Sequence, residues 1–229
     1  MDDKLKTILL WSIGAIVMIG IIVVVLNGVS DTADDLADSQ AEVTVTGEPL
    51  APYSQGFEPA AGQVIPEASG IGIDGQPVSI ANNGKAKAIV FLAHWCPNCQ
   101  AEIPVLVDWL ETNEIPENVE LIGVATAISR LRTNYPPSDW LITEGWTQPT
   151  LLDDQDSSVG LAFGGLPFPG WAFVNADGTL ATRVSGAGSV DLDVIMPLLA
   201  AGVNLGELSP GQATPVPTQE ELSEETPSE

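Results

Sequence analysis

Basic residues are scarce in this chain. Seven lysines and arginines stand against 31 aspartates and glutamates, a formal net charge of −24 over 229 residues. That excludes a nucleic-acid partner, since a phosphate backbone is held by clustered Lys and Arg. Cysteine is almost absent, and two cysteines make neither a disulfide-rich scaffold nor, alone, a four-cysteine zinc site. The single histidine, His94, offers no cluster for a metal, and no Gly-rich phosphate loop is present. We therefore expect no metal and no cofactor.

What is present is unevenly placed. Thr7 to Ser30 contains no charged residue, and Ile8 to Leu26 is almost wholly apolar. About 20 such residues at 1.5 Å each cross a hydrocarbon core of roughly 30 Å. A cleaved secretory signal is the alternative, but its apolar region runs to only about 7–15 residues. Lys4 and Lys6 precede the span, so residues 1–6 are expected in the cytoplasm, 7–29 as a single-pass anchor and the remainder outside. Residues 30–48 read as an acidic linker, and 203–229, rich in Pro, Ser, Thr and Glu, as a disordered tail. Residues 49–202 suffice for one domain with a single core.

Within that domain, strand and helix patterns alternate. Residues 71–80 read as a hairpin turning at Asp74-Gly75. Ala86–Ala93 is a short apolar run suited to a doubly covered strand, and Pro97–Glu111 a helix with Ile103, Leu106, Val107 and Leu110 on one face. Val119–Ala125 reads as a second buried strand, followed over 129–148 by a less regular stretch that contains a helix and is interrupted at Pro136-Pro137. Thr150–Leu152, a short helix over 158–163, strands at 171–174 and 179–184 joined by a turn at Asn175–Gly178, and a helix over 190–201 complete the pattern. Such an order implies an α/β domain with a mixed sheet flanked by helices.

His94-Trp-Cys-Pro-Asn-Cys99 marks the junction of the first central strand with its helix. Cys96 falls at the N-cap, where free backbone N–H groups and the helix dipole favour a thiolate. Pro97 suits the first helical position, and Cys99, one turn in, is the natural resolving thiol. Covalent haem is excluded because position 100 is Gln. A zinc site would need two more ligands, and a passive disulfide here would close too small a loop to restrain much chain entropy. His94, two residues before Cys96 and without an orienting partner, is a poor hydrolase base.

Val90-Phe-Leu-Ala-His-Trp-Cys-Pro-Asn-Cys-Gln-Ala-Glu-Ile-Pro104 resembles the membrane-anchored, extracytoplasmic thioredoxin-like oxidoreductases of the TlpA/ResA type. The likeness extends to residues 165–178, similar to that family's cis-proline strand and turn, and spans roughly residues 60–201. It implies a thioredoxin-like fold, with Cys96 as nucleophile, Cys99 as resolving thiol and the two forming a redox-active disulfide. Glu102 matches the family's active-site acid, and its place one turn beyond Cys99 suits proton transfer. Pro169 aligns with the cis-proline, with Pro167 as fallback. The backbone of Phe168 would then pair with substrate. Trp95 would wall the disulfide, while His94 fills its strand-end position. The chain departs from the family at Gly170, where Thr is usual.

The resemblance also implies partners: exported protein thiols or disulfides as substrates, and a membrane-embedded electron-transfer protein. The family's commonest task is reduction of exported proteins, as in cytochrome c maturation. Cys-Pro-Asn-Cys also resembles oxidants that introduce disulfides, and a non-catalytic tethered binding module is the alternative from another class.

Overall fold

A computed structural model describes residues 41–207. The anchor expected at 7–29 and nearly all of the acidic tail lie outside the described residues. Among the described residues, no helix is long and apolar enough to cross a membrane.

Among the described residues, eight strands and four helices follow in order. They are β1 (Thr44–Thr46), β2 (Glu67–Ile71), β3 (Pro77–Ile80), β4 (Ala86–Leu92), α1 (Pro97–Thr112), β5 (Val119–Ala125), α2 (Pro137–Thr143), β6 (Thr150–Leu152), α3 (Ser158–Ala162), β7 (Gly170–Val174), β8 (Leu180–Ser185) and α4 (Leu192–Ala200). A 3-10 turn at Leu205–Glu207 ends the described residues. The main sheet runs β6-β5-β4-β7-β8, and a separate antiparallel sheet runs β1-β2-β3. β4 lies parallel to β5 and antiparallel to β7, so the sheet is mixed.

The apolar runs explain the centre. Every residue of β4 is buried, because both faces of that strand are covered. Ala88, Val90 and Leu92 face one cluster with Cys99, Ile103 and Leu106 of α1 and Met196 of α4. Ile89 and Phe91 face the other, with Ile80 of β3, Val159 of α3 and Phe163. Lys87, in the same strand, is buried too, and its ammonium pairs with Glu120 at 3.0 Å.

Two expected boundaries shift. The linker expected over 30–48 already contains β1, whose short edge strand turns only Val45 partly inward and so leaves no readable period. The domain also runs past 202, because Leu205, in the expected tail, is buried against the core. The hairpin does turn around Asp74-Gly75, with Ile71 opposite Pro77, but its first strand begins earlier, at Glu67.

The register brings three chain segments to one edge of the sheet. Leu92 is opposite Ala125, and Phe91 is opposite Gly170. The residues after β4, those after β5 and those before β7 must therefore meet.

Candidate active site

The turn after β4 is short. The Cys96 N–H donates to Ala93 O at 2.9 Å, and Gln100 N–H donates to Cys96 O at 3.0 Å, opening α1. Cys96 is the N-cap in extended backbone, with Pro97 at the first helical position, where no N–H is required. Gln100 adds a side-chain bond, Nε2 to His94 O at 3.0 Å, which ties the first turn of helix back to the strand end.

The two thiols differ in environment. Cys96 is half-buried, while Cys99 is fully buried, and both are present as free thiols. Burial pushes the Cys99 thiol far above its ordinary value. A backbone hydrogen bond with Ala93 opposes this, whereas the charges that Cys96 and Glu102 can carry push the same way. Of the two sulfurs, Cys96 is therefore the one open to a partner.

Glu102 lies on the same face as Cys99 and is only 4% exposed, so it is no solvated helix carboxylate. Its Oε2 accepts a hydrogen bond from Gly188 N–H, in the loop between β8 and α4, at 2.8 Å. α1 continues unbroken through Pro104, which is exposed.

The segment before β7 covers the other side. The Phe168–Pro169 peptide is cis, as is Tyr135–Pro136 in the irregular stretch; Pro167 is trans. Cys96 Sγ lies 3.6 Å from Phe168 O. Trp95 meets Phe168 edge-on, with ring centroids 6.3 Å apart. Beside Phe168 runs a groove of about 240 Å³, lined by Phe91, Thr126, Gly160, Leu161 and Leu166. Below it Asp153 is fully buried and accepts from Thr126, Val159 and Gly160, which anchors the start of α3.

The third segment, after β5, was unreadable as part of the site. Ala127 O accepts from the Trp95 indole N–H at 2.8 Å, and Arg132 lies over the Trp95 ring at 4.9 Å. His94 is fully engaged in holding this loop. Ser129 N–H donates to Nε2 at 3.1 Å, so Nδ1 carries the proton and donates to Thr133 O at 2.7 Å. The ring is therefore the neutral tautomer, and His94 braces the loop as well as filling its strand end. The only signal available beforehand was the pair Arg130 and Arg132, isolated cations in an acidic chain. The zinc reading gains no further ligands: among the described residues no group of three His, Cys, Asp or Glu could hold a metal.

A dithiol at the start of a helix, beneath a cis-proline segment on a mixed sheet, defines the thioredoxin-like oxidoreductases. The chain belongs to the Redoxin family, whose model matches residues 60–193, and it is a thiol–disulfide oxidoreductase. Two solved structures agree in fold, and a third is similar in sequence. A candidate protein disulfide isomerase from Bacteroides thetaiotaomicron is 16% identical, with a TM-score of 0.52, covering 69% of this chain and 94% of its own. A candidate thiol:disulfide interchange protein DsbE from Chlorobium tepidum is 14% identical, with a TM-score of 0.52 and coverage of 62% and 97%. A thioredoxin-family thiol:disulfide interchange protein from Chlorobium tepidum TLS is 21% identical, with a TM-score of 0.49 and coverage of 69% and 99%. Among curated proteins no relative matches the chain.

Proposed function

We propose that this chain is a membrane-tethered, extracytoplasmic reductant of exported proteins, of the TlpA/ResA type, acting through Cys96 and Cys99. The observation that carries the reading is the half-exposed Cys96 sulfur, 3.6 Å from Phe168 O, with Cys99 buried directly behind it. An extended substrate segment pairs with the Phe168 backbone in the manner of an added strand, and an apolar side chain enters the groove lined by Leu161 and Leu166.

The Cys96 thiolate attacks one sulfur of the substrate disulfide. A mixed disulfide forms, and the other substrate sulfur leaves as a thiolate that takes up a proton. Cys99 then gives its proton to Glu102 and attacks Cys96 Sγ. The Cys96–Cys99 disulfide forms and the second substrate thiol departs, so two electrons have passed from the dithiol to the substrate. A membrane-embedded dithiol donor restores the reduced pair. Reduction in cytochrome c maturation is the task this chemistry fits within the resembled family.

A second reading, oxidation of exported dithiols, is favoured by Pro97 beside Cys96. The reduction potential decides: about −270 mV supports the reductant and about −120 mV the oxidant. The central test is Cys99→Ser, which should trap exported substrates as mixed disulfides on Cys96. If Cys96→Ser left function intact in cells and nothing were trapped, the domain would be a tethered binding module instead.

A further inference from the structure

Five of the chain's seven cations lie among the described residues. Lys87 and Arg183 are buried and paired, with Glu120 and with Glu58 respectively. Lys85 precedes β4, at the end away from the cysteines. Arg130 and Arg132 are both exposed, and among the described residues neither has a carboxylate partner. Both sit on the loop that braces the site. Arg132 covers Trp95, and Arg130 lies 5.8 Å from the Tyr135 ring centroid. Between them Leu131 is 96% exposed.

The carboxylates built into this edge, Glu102 and Asp153, are buried. Residues 88–101, 126–138 and 157–174 are the three segments that meet at the Cys96 sulfur. They contain no Asp or Glu, in a chain that has 31. The exposed charges within these segments are thus Arg130 and Arg132, on a strongly negative molecule.

We propose that Arg130 and Arg132 are specificity-determining residues that recognise carboxylates flanking the substrate's reactive cysteine, so that the preferred substrate segment is acidic. The proposal rests on the thiol–disulfide reading above and names its substrate class. Distance decides between the two fields. At physiological ionic strength charge is screened over about 8 Å, so the chain's remote acidity fades at the sulfur while a carboxylate touching a guanidinium is attracted. The planar guanidinium can grip a carboxylate with two parallel bonds, and its stacking on an aromatic ring already restrains the side chain. Leu131 adds an apolar contact between the two charges.

The test uses the full-length reduced chain in a neutral detergent, mixed by stopped flow with synthetic disulfide peptides. The peptides are identical except at two positions flanking the cysteine, which carry Glu, Gln or Lys. The Glu peptide should react about twofold to fivefold faster than the Gln peptide for each carboxylate engaged, the range of an exposed ion pair. The Lys peptide should be slowest, and the spread should close as NaCl is raised. R130Q/R132Q should bring the Glu-to-Gln rate ratio close to one, while R130K/R132K, which keeps the charge, should retain most of it. Equal rates for the Glu and Gln peptides overturn the proposal and leave thiol exchange standing. So does a ratio that survives R130Q/R132Q, the outcome if Arg132 merely supports Trp95 and its loss slows every peptide alike. Failure to exchange with any peptide overturns the underlying reading, and this one with it.

Discussion

Cys99 is where burial acts most directly on chemistry. A thiol raised by desolvation is neutral in the folded protein at pH values where the unfolded chain ionises it. The folded state then holds more protons, so stability is complete below the ordinary value of 9.0 and falls as pH rises above it. We expect the reduced protein to lose up to about 1.4 kcal/mol per pH unit above that point through this group. Denaturant unfolding between pH 8 and pH 10.5 checks it, and Cys99→Ala should flatten that limb. His94 makes a different use of burial, since its two ring nitrogens satisfy one donor and one acceptor of the loop after β5. His94→Ala strands Ser129 N–H and Thr133 C=O. That should cost about 1–3 kcal/mol in all, since water reaches part of the loop, and speed amide exchange across residues 127–135 more than in β4.

Among the elements, a buried ion pair ties the 50–66 segment to the sheet. Arg183 of β8 donates to both Glu58 oxygens, at 2.9 and 2.6 Å, and to Phe163 O at 2.7 Å. Its side chain is wholly buried. Glu58→Ala leaves an uncompensated buried guanidinium, and we expect a loss of about 3 kcal/mol or more, read as a lowered midpoint in urea. No local pattern announces such a pair, whose members lie 125 residues apart. The elements legible in the sequence were those whose own residues determine them. β4 and β5 are continuous apolar runs, β6 is bounded by turns, and α1 starts at Pro97 because Pro fits only its first turn. α2 begins at Pro137 for the same reason, inside the irregular stretch where a helix is expected. β1 and the turn at Leu205 were hidden because each depends on packing against distant partners. The site divides likewise. Cys96, Cys99 and Glu102 are neighbours on one helix start and were readable there, and Phe168 and Pro169 were readable through the family resemblance. The loop bearing Ala127 and Arg132 reaches Trp95 only through the register of β5 on β4.

At the scale of the molecule, two cores back onto one sheet and the chemistry is confined to a single edge of it. The exposed charges of the three segments at that edge are Arg130 and Arg132, which separates the demands of solubility from those of recognition. Cys99, in the first turn of α1, is sealed into the core, so a single sulfur faces outward. Electron donor and electron acceptor must then use the same doorway, and neither can enter while the other occupies it. The two half-reactions must alternate, with the protein itself storing the electron pair between visits. Steady-state rates measured against both partners should give parallel double-reciprocal lines, and excess of either partner should inhibit by blocking the form the other needs. Intersecting lines would mean that a second route to the dithiol exists. A carrier with one doorway is limited by how often its visitors exchange places, however fast the sulfur chemistry runs.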